Sequence, residues 1–273
     1  MAERLASLGL IAGSRSLPLE IARLARADGV QRLVAVGFEG ETDPALEGLV
    51  DEMAWLRVGQ LGRLIQFFGE SKITQCVMGG QIAPKNLFHL RPDLRAAALL
   101  FRLKEKNAHT IFGGIADELK KDGIELIEAT PWLRALMPGE GFVLGRPPTA
   151  EQREDLAFGW RIAKEVSRLE IGQSVVVKGG TVLAVEGFEG TDQCLRRGGG
   201  LAGKKGGALA VKVAKANHDM RFDIPCIGVA TVETCLEAGI QGLGIEAGRV
   251  IVLERTGIER LLRRQRFSIV SVA

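Results

Sequence analysis

Short apolar runs alternate with amphipathic stretches through the first half of the chain. The runs predict strands at residues 8–12, 33–36, 75–78 and 124–127. Between them, apolar positions recur with helical spacing and predict helices at residues 18–26, 61–68, 95–106 and 115–121. Strands that alternate with helices predict a parallel sheet covered by helices, as in Rossmann-like α/β domains.

The second half is richer in strands. It opens with a predicted amphipathic helix at 151–168 and closes with a helix at 258–265 and a strand at 268–272. Between them the pattern predicts a helix at 232–238 and strands at 174–178, 182–185, 208–213, 226–229, 242–245 and 250–253. We therefore expect a mixed α/β domain.

A segment rich in proline and glycine separates the two halves. Residues 137–152 read MPGEGFVLGRPPTAEQ, a composition typical of a connection between domains. The predicted organisation is an N-terminal Rossmann-like domain in 1–136, a linker in 137–152 and a C-terminal mixed α/β domain in 153–273.

Composition and charge narrow the classes of function. The net charge of +3, with 5% aromatic residues and no tyrosine, argues against nucleic acid as a partner. No apolar run approaches the roughly 20 residues that span a bilayer, and the N-terminus lacks a secretory pattern. The absence of CxxC spacing favours free thiols in a reducing cytoplasm for Cys76, Cys194, Cys226 and Cys235.

Two glycine-rich segments resemble nucleotide-binding motifs but have the wrong context. Residues 198–205 fit GxxxxGK, yet Lys205 stands where Ser or Thr belongs, and a strand is predicted next. Residues 242–247 (GLGIEA) precede a strand instead of opening a helix, and we interpret them as a turn between strands. A phosphate loop and a nicotinamide-dependent reductase therefore lack support, and covalent acyl chemistry does too because there is no GxSxG motif.

Two loops follow predicted strands of the first half. The first loop, residues 13–16, precedes a helix at a place where open α/β sheets bind ligands. Its backbone N–H groups and the hydroxyls of Ser14 and Ser16 are therefore candidates for holding an anion. The alternative is an ordinary helix start with Ser16 as N-cap. We expect the second loop to face the same crevice. The candidate binding residues of the two loops are Gly13, Ser14, Gly79, Gly80 and Gln81.

The densest polar cluster lies between two predicted strands of the second half. Its members are Lys212, Lys215, His218, Asp219, Arg221 and Asp223. Carboxylates offer the hard oxygen ligands that Mg²⁺ or Mn²⁺ prefers, and cations neutralise phosphate charge. The alternative is a solvated loop. The flanking apolar strands favour a position at the end of a sheet.

The histidines and the basic tail do not distinguish between the candidate functions. His89 and His109 are isolated in the sequence, and no HxxxH or HxH pair indicates a zinc site. The tail is interpreted first as a solvated helix face, and contact with anionic lipid headgroups is the alternative. Its basic residues are Arg260, Arg263, Arg264 and Arg266.

Five segments carry a family resemblance that runs in order along nearly the whole chain. They are IAGSRSLP, HLRPDLRAAALL, VEGFEGTD, KVAKANHDMRFDIPCIG and EAGIQGLGIEAGRVIVLER. With these segments the sequence resembles the LpxI-type UDP-2,3-diacylglucosamine pyrophosphatases. The pairing of EGTD with D-x-R-x-D-x-P is the most specific part of the match.

The resemblance implies a cytoplasmic, two-domain enzyme of lipid A synthesis in Gram-negative bacteria, with a ligand chamber between its domains. It implies hydrolysis of UDP-2,3-diacylglucosamine to UMP and 2,3-diacylglucosamine 1-phosphate (lipid X). Water is expected to attack the phosphorus nearer the sugar, and a divalent cation, Mg²⁺ or Mn²⁺, is expected to be required. The C-terminal domain would then be the catalytic one.

Roles for single residues follow as a hypothesis. Asp223 is the leading catalytic residue, either as a metal ligand or as a base that orients water. Asp219 and Asp192 are the next catalytic candidates, and Asp219 is expected to share the metal with Asp223. The residues expected to stabilise the transferred phosphoryl group are Lys212, Lys215, Arg221 and, through its hydroxyl, Thr191.

A non-catalytic protein that binds a nucleotide-sugar or a lipid phosphate is the alternative function. The carboxylates argue against it, because a pure phosphate binder has little use for Asp192, Asp219 and Asp223 beside its anion unless a metal intervenes. A homodimer and peripheral contact with the cytoplasmic face of the inner membrane are compatible with the sequence, which does not decide them.

Overall fold

The structure is a computed structural model, and it describes residues 5–82, 91–104, 108–215, 219–222 and 224–273. The chain divides into two compact units. The first contains the described residues up to Leu133 together with 219–222, and the second contains 134–215 and 224–273. Residues 219–222 thus belong to the first unit although they lie late in the sequence.

The first unit is built on a five-stranded sheet in the order β3-β2-β1-β4-β5, with every neighbouring pair parallel. Its strands are β1 (Ser7–Ala12), β2 (Arg32–Phe38), β3 (Glu52–Leu56), β4 (Gln75–Gly79) and β5 (Glu125–Leu126). This order is that of a doubly wound Rossmann-like sheet, in which successive strands are added first on one side of β1 and then, from β4 onward, on its other side. Loops that leave these two strands therefore meet at one edge.

Helices cover this sheet because each parallel connection must cross over a face of it. They are α1 (Leu17–Ala27), α2 (Leu61–Glu70), α3 (Leu94–Arg102), α4 (Ala108–Lys121), the short α5 (Thr130–Leu133) and the 3₁₀ helix Pro44–Leu49. Asp93 caps α3 by accepting a hydrogen bond from the Ala96 N–H, at 2.9 Å. The core is formed by buried apolar residues such as Leu10, Val34 and Phe68.

The second unit contains a six-stranded mixed sheet in the order β6-β13-β11-β9-β7-β8. Strands β9, β11 and β13 are parallel, while β6, β7 and β8 each run antiparallel to their inner neighbour. A parallel pair, β10 with β12, forms a separate small sheet. The strands are β6 (Val143–Gly145), β7 (Ser174–Lys178), β8 (Thr181–Val185), β9 (Ala208–Lys212), β10 (Cys226–Ile227), β11 (Ile240–Glu246), β12 (Ile251–Val252) and β13 (Ser268–Val272).

The described residues of this unit form four α-helices and a 3₁₀ turn at Arg134–Leu136. They are α6 (Ala150–Arg168), α7 (Thr191–Leu201), α8 (Val229–Glu237) and α9 (Arg255–Leu262). A capping box between Thr149 and Gln152 starts α6. None of the helices in the described ranges combines the length and the apolar character that crossing a membrane requires.

The predicted fold class, two α/β domains with a parallel N-terminal and a mixed C-terminal sheet, is confirmed. Several elements differ from the sequence patterns. Strand β3, helices α5 and α7 and the 3₁₀ helix Pro44–Leu49 were not predicted, and β6 lies within the predicted linker, where it pairs with β13. The interpretation of residues 242–247 as a turn is wrong, because 242–246 lie inside the central strand β11.

Glycines that resemble a phosphate loop belong to helix α7 and serve its packing. A Cβ atom at Gly198 would lie 2.4 Å from the Val176 Cβ, and one at Gly199 would lie 2.1 Å from the Ala238 carbonyl oxygen. Both distances are too short for any side chain. The glycines therefore let α7 approach β7 and the end of α8 closely, and the strand predicted after them is β9.

A buried carboxylate ties α3 to α4. Glu118 is 5% exposed, and its carboxylate oxygens lie 2.8 Å from the guanidinium nitrogens of Arg95 and Arg102 and 2.5 Å from the Lys121 Nζ. The Lys121 ammonium and then the Arg95 guanidinium lower the pKa of Glu118 to about 2, from an ordinary 4.5. Because the folded-state pKa is the lower one, this group stabilises the fold above about pH 4.5.

We expect this stabilisation to be lost as the pH falls from about 4.5 to about 2. The Glu118→Gln variant removes it, so its free energy of unfolding should fall less steeply over that window, by about 1–3 kcal/mol in total. Urea unfolding at several pH values measures this. Glu165→Gln, which removes an exposed ion pair with Arg168, is the control and should follow the wild type. Equal slopes in the Glu118 variant and the wild type would contradict the assignment.

Candidate active site

The two predicted loops of the first unit meet at the switch point between β1 and β4. The Gly13 N–H donates to the Gly79 carbonyl at 2.8 Å, and the Ser14 N–H donates to the Gln81 carbonyl at 2.7 Å. The Ser14 hydroxyl donates to the same Gln81 oxygen at 2.8 Å. The structure therefore brings the loops together, but these two N–H groups hold the loops to each other instead of being turned to a ligand. Ser16 occupies the N-cap position of α1 without a side-chain capping bond.

The glycines of these loops are required by a close crossing of the two backbones. A Cβ atom at Gly13 would lie 2.6 Å from the Gln81 carbonyl oxygen. Gly80 has a φ of 88°, and a Cβ there would lie 2.6 Å from the Ser14 carbonyl oxygen. Side chains at either position would force the crossing apart.

Arg15 stands out in the first loop because of its backbone conformation. Its φ is 69°, in the left-handed region that residues other than glycine rarely adopt. Such strain costs about 1–3 kcal/mol and concentrates at functional sites. Arg15 follows β1 at the ligand-binding edge of the sheet, so we add it to the candidate residues. Arg15 was not predicted from the sequence as a site residue.

Residues 219–222 form a turn that is anchored in the first unit. Phe222 is 9% exposed and packs against Phe112, with ring centroids 5.6 Å apart. The Arg221 guanidinium pairs with the Asp219 carboxylate, with Nε at 2.9 Å from Oδ1 and Nη2 at 2.6 Å from Oδ2. This pairing, with further charge from Asp117 and Glu128, raises the pKa of Arg221. The two side chains are thus held as one unit.

This arrangement engages the Asp219 carboxylate with Arg221. Its Oδ1 accepts from the Arg221 backbone N–H and from Nε–H, and its Oδ2 accepts from Nη2 and, at 3.2 Å, shares the same Nε–H. Three N–H groups therefore occupy most, but not all, of the four lone pairs that a carboxylate offers, and the role of Asp219 as a metal ligand stays a prediction. Over the described ranges, no group of three or more His, Cys, Asp or Glu side chains is placed to hold a metal ion. Asp223 and His218 lie outside the described residues, as do His89 and the side chain of His109.

In the second unit, Thr191 and Lys212 meet at the carboxyl edge of the sheet. Strands β8 and β9 both run toward this edge, because each is antiparallel to β7. The Lys212 Nζ donates to the Thr191 hydroxyl at 3.2 Å, and that hydroxyl donates to Glu186 at 2.9 Å. Lys212 is only 8% exposed. Asp192 lies in the first turn of α7, where the helix dipole favours negative charge.

A second buried charge lies at the end of the neighbouring strand β11. Glu246 is 8% exposed, receives the Lys164 ammonium at 2.8 Å and accepts from the Ala214 N–H at 2.8 Å. Lys164 also donates to the Ala214 carbonyl at 3.1 Å, and Arg249 donates to the Lys215 carbonyl at 3.0 Å. This network, Lys164–Glu246–Arg249, fixes the chain where it leaves β9 and so positions the backbone of Lys215.

The four cysteines are free thiols, as predicted. Burial raises the pKa of Cys76 and Cys194 to about 12 and raises that of Cys235 as well. A thiol with such a pKa remains protonated at neutral pH and is a poor nucleophile. These three cysteines are therefore structural.

Comparison with known proteins agrees with the two-unit architecture. The family model of the LpxI N-terminal domain matches residues 7–136, and that of the LpxI C-terminal domain matches 139–270. The UDP-2,3-diacylglucosamine pyrophosphatase LpxI of Caulobacter vibrioides is 31% identical over 261 residues, which cover 92% of each chain. The chain belongs to the LpxI family.

In this LpxI family member the predicted site residues fall into three groups. The first unit holds the paired loops and, separately, the Asp219–Arg221 turn; the second unit holds Thr191, Asp192, Lys212 and Lys215. Sequence analysis missed the partners that position them. Glu186 stands in the quoted EGFEGTD segment, but Lys164 and Glu246 are 82 residues apart and no local pattern links them.

Substituting Gly13 by alanine should destabilise the first unit. The new methyl group would meet backbone atoms of the second loop, and overpacking of this kind costs about 1–3 kcal/mol. Chemical denaturation measures the loss. The matched control is Gly69→Ala in helix α2, where a Cβ has nothing within 4 Å, so stability should rise by about 0.5–1 kcal/mol. An unchanged stability in Gly13→Ala would show that the loops do not cross as closely as described.

Removing Glu246 should be costly because it takes the acceptor from the half-buried Lys164 and from the buried Ala214 N–H. We expect Glu246→Ala to lower the free energy of unfolding by about 2–3 kcal/mol. Glu165→Ala, one residue from Lys164 on the same helix, breaks only an exposed ion pair and should cost less than about 0.5 kcal/mol. Similar losses in the two variants, measured by urea unfolding, would contradict a positioning role for the network.

Proposed function

We propose that this protein hydrolyses the pyrophosphate bond of UDP-2,3-diacylglucosamine to UMP and 2,3-diacylglucosamine 1-phosphate. Membership of the LpxI family and the similarity to a pyrophosphatase of that name along 92% of the chain support the proposal. The structural observation that carries it is the buried ammonium group of Lys212 at the carboxyl edge of the second sheet. A binding protein without hydrolytic activity is the competing function.

Lys212 is suited to hold a phosphate group of the substrate. The hydrogen bond described for it is to a neutral hydroxyl, and the described part of the chain places no carboxylate within ion-pair distance of it. Lys164, on helix α6, is instead paired with Glu246, which ends the neighbouring strand β11. A buried cation is stabilised by an anion, and the adjacent N-terminus of α7 also favours negative charge. A diphosphate would supply that charge.

Hydrolysis then needs a water molecule and charge stabilisation. The water oxygen forms a bond to one phosphorus while the bridging P–O bond breaks, and the departing phosphate keeps that bond's electron pair. The attacking water gives up a proton to the solvent. Lys212 stabilises the negative charge on the phosphoryl oxygens, and the Thr191–Glu186 hydrogen bond holds Lys212 in place. Lys215, Arg15 and Arg221 are proposed as further phosphate contacts, and Asp192 and Asp223 as the acidic residues of the site.

A requirement for Mg²⁺ or Mn²⁺ is part of this proposal. Asp219, one of the two residues predicted to hold the cation, is paired with Arg221 in the structure. The requirement is measured directly by assay with a chelator and by restoring each cation separately.

The test is release of UMP from UDP-2,3-diacylglucosamine by the purified full-length protein. Lys212→Met should lower kcat/KM about 10²–10³-fold, the usual effect of removing one preorganised charge contact. The control is Lys178→Met. Lys178 lies at the other end of the same sheet, where it donates to the Ala202 carbonyl at 2.7 Å, and its loss should leave kcat/KM within about threefold.

Two outcomes would contradict the proposal. Binding of the substrate without UMP release under any cation would make the protein a binding module, and equal activity in the two lysine variants would remove Lys212 from the site. Hydrolysis in H₂¹⁸O then locates the attacked phosphorus. The label appears in the sugar 1-phosphate if water attacks the phosphorus nearer the sugar, and in UMP otherwise.

A further inference from the structure

Helix α3 presents an apolar face to solvent. Leu94 is 93% exposed and Phe101 is 92% exposed, and the exposed Ala97 and Ala98 lie between them on the same side of the helix. The opposite side is buried through Ala96 and Leu99. Single exposed apolar residues are common, but a continuous stripe at helical spacing marks a surface that contacts something.

Basic residues flank this stripe. Residues 91–104 contain four basic residues and one acidic residue, Asp93. The Asp93 carboxylate is used within the fold, where it accepts from the N–H groups of Ala96 and Gly62. Arg91, which precedes the helix, and Lys104, which follows it, are both exposed. The side chain of Arg102, though paired with Glu118, is itself 56% exposed.

We propose that the α3 face, Leu94–Ala97–Ala98–Phe101 with Arg91 and Lys104, docks on the surface of an anionic phospholipid bilayer. Apolar side chains on one face and basic residues beside it are the two features by which a surface helix binds such a bilayer. The inference rests on the proposed function for its purpose, because an enzyme acting on a diacylated substrate must reach it in a membrane. It differs from the earlier hypothesis, which placed lipid contact at the basic tail.

Two other occupants fit the face less well. A site for the acyl chains of a substrate would be concave and would enclose them, whereas Leu94 and Phe101 are almost fully exposed. In a symmetric dimer through this face, like charges from Arg91 and Lys104 of the two copies would lie close together. A bilayer with acidic headgroups satisfies both the apolar and the basic residues.

The experiment is co-sedimentation of the full-length protein with vesicles that contain no substrate. Vesicles of phosphatidylcholine with phosphatidylglycerol are compared with vesicles of phosphatidylcholine alone. Leu94→Ser/Phe101→Ser should lower the partition coefficient on the anionic vesicles at least about tenfold. Arg91→Gln/Lys104→Gln should lower it roughly fivefold per residue, and the wild type should bind the neutral vesicles weakly.

The matched control is Leu169→Ser/Leu201→Ser, which removes two apolar side chains that are 58% and 61% exposed in the second unit. It should bind like the wild type. Unchanged binding in the α3 variant would overturn the proposal, and so would equal binding to both kinds of vesicle.

UMP release from substrate dispersed in detergent separates this proposal from the other occupants. The α3 variant should retain wild-type turnover there. A matching loss of turnover would make the face a substrate site, and a change from dimer to monomer in sedimentation velocity would make it a subunit interface; either result overturns membrane docking. Because the vesicles lack substrate, docking is tested even if the protein proves inactive.

Discussion

The burial of charge at one edge of the second sheet constrains this part of the molecule. Lys212 ends β9 and Glu246 ends β11, and Ile245 is the register partner of Lys212, so both charged side chains lie at adjacent strand ends. Each is only 8% exposed. A buried charge is costly unless it is paired or hydrogen-bonded, so the surroundings of both residues must supply partners.

The charges of Glu246 and Lys212 are compensated in different ways. The difference indicates a structural role for Glu246 and favours a phosphate-binding role for Lys212. Glu246 has a cation, Lys164, and a backbone N–H, so its requirements are met by the protein. The Lys212 Nζ donates to the Thr191 hydroxyl, which in turn donates to the Glu186 carboxylate. The first arrangement fixes the chain leaving β9, and the second leaves a positive site at a helix N-terminus that a phosphate group would complete.

The sequence predicts the fold well where local pattern and tertiary packing agree. The alternation of apolar runs and amphipathic stretches predicts four of the five strands of the parallel first sheet and misses only the edge strand β3. The same pattern does not predict helix α7, because three consecutive glycines disfavour a helix locally. The glycines are explained only by the close contacts of the folded helix with Val176 and Ala238. At residues 242–245 the apolar pattern correctly predicts a strand, and only the interpretation of the 242–247 motif as a turn is wrong, since a glycine in a strand resembles a turn when its packing is unknown.

Proximity in sequence is also an incomplete guide to the site. Lys212 and Arg221 are nine positions apart in one polar segment, yet they belong to different compact units. The segment contains residue types that are suited to phosphate chemistry, but it does not show that Arg221 is paired with Asp219. That pairing depends on a turn anchored by Phe222 in the core of the first unit.

The Asp219–Arg221 pair limits the roles that these residues can have together. A carboxylate whose lone pairs accept from a guanidinium cannot bind a cation with the same lone pairs. A phosphoryl group, however, presents oxygens that match the guanidinium fork as a carboxylate does. A phosphate could therefore replace Asp219 as the partner of Arg221, and the exchange would leave more of the Asp219 carboxylate for a metal. In the structure Asp219 holds Arg221, and the catalytic and metal-binding roles of Asp192, Asp219 and Asp223 stay predictions.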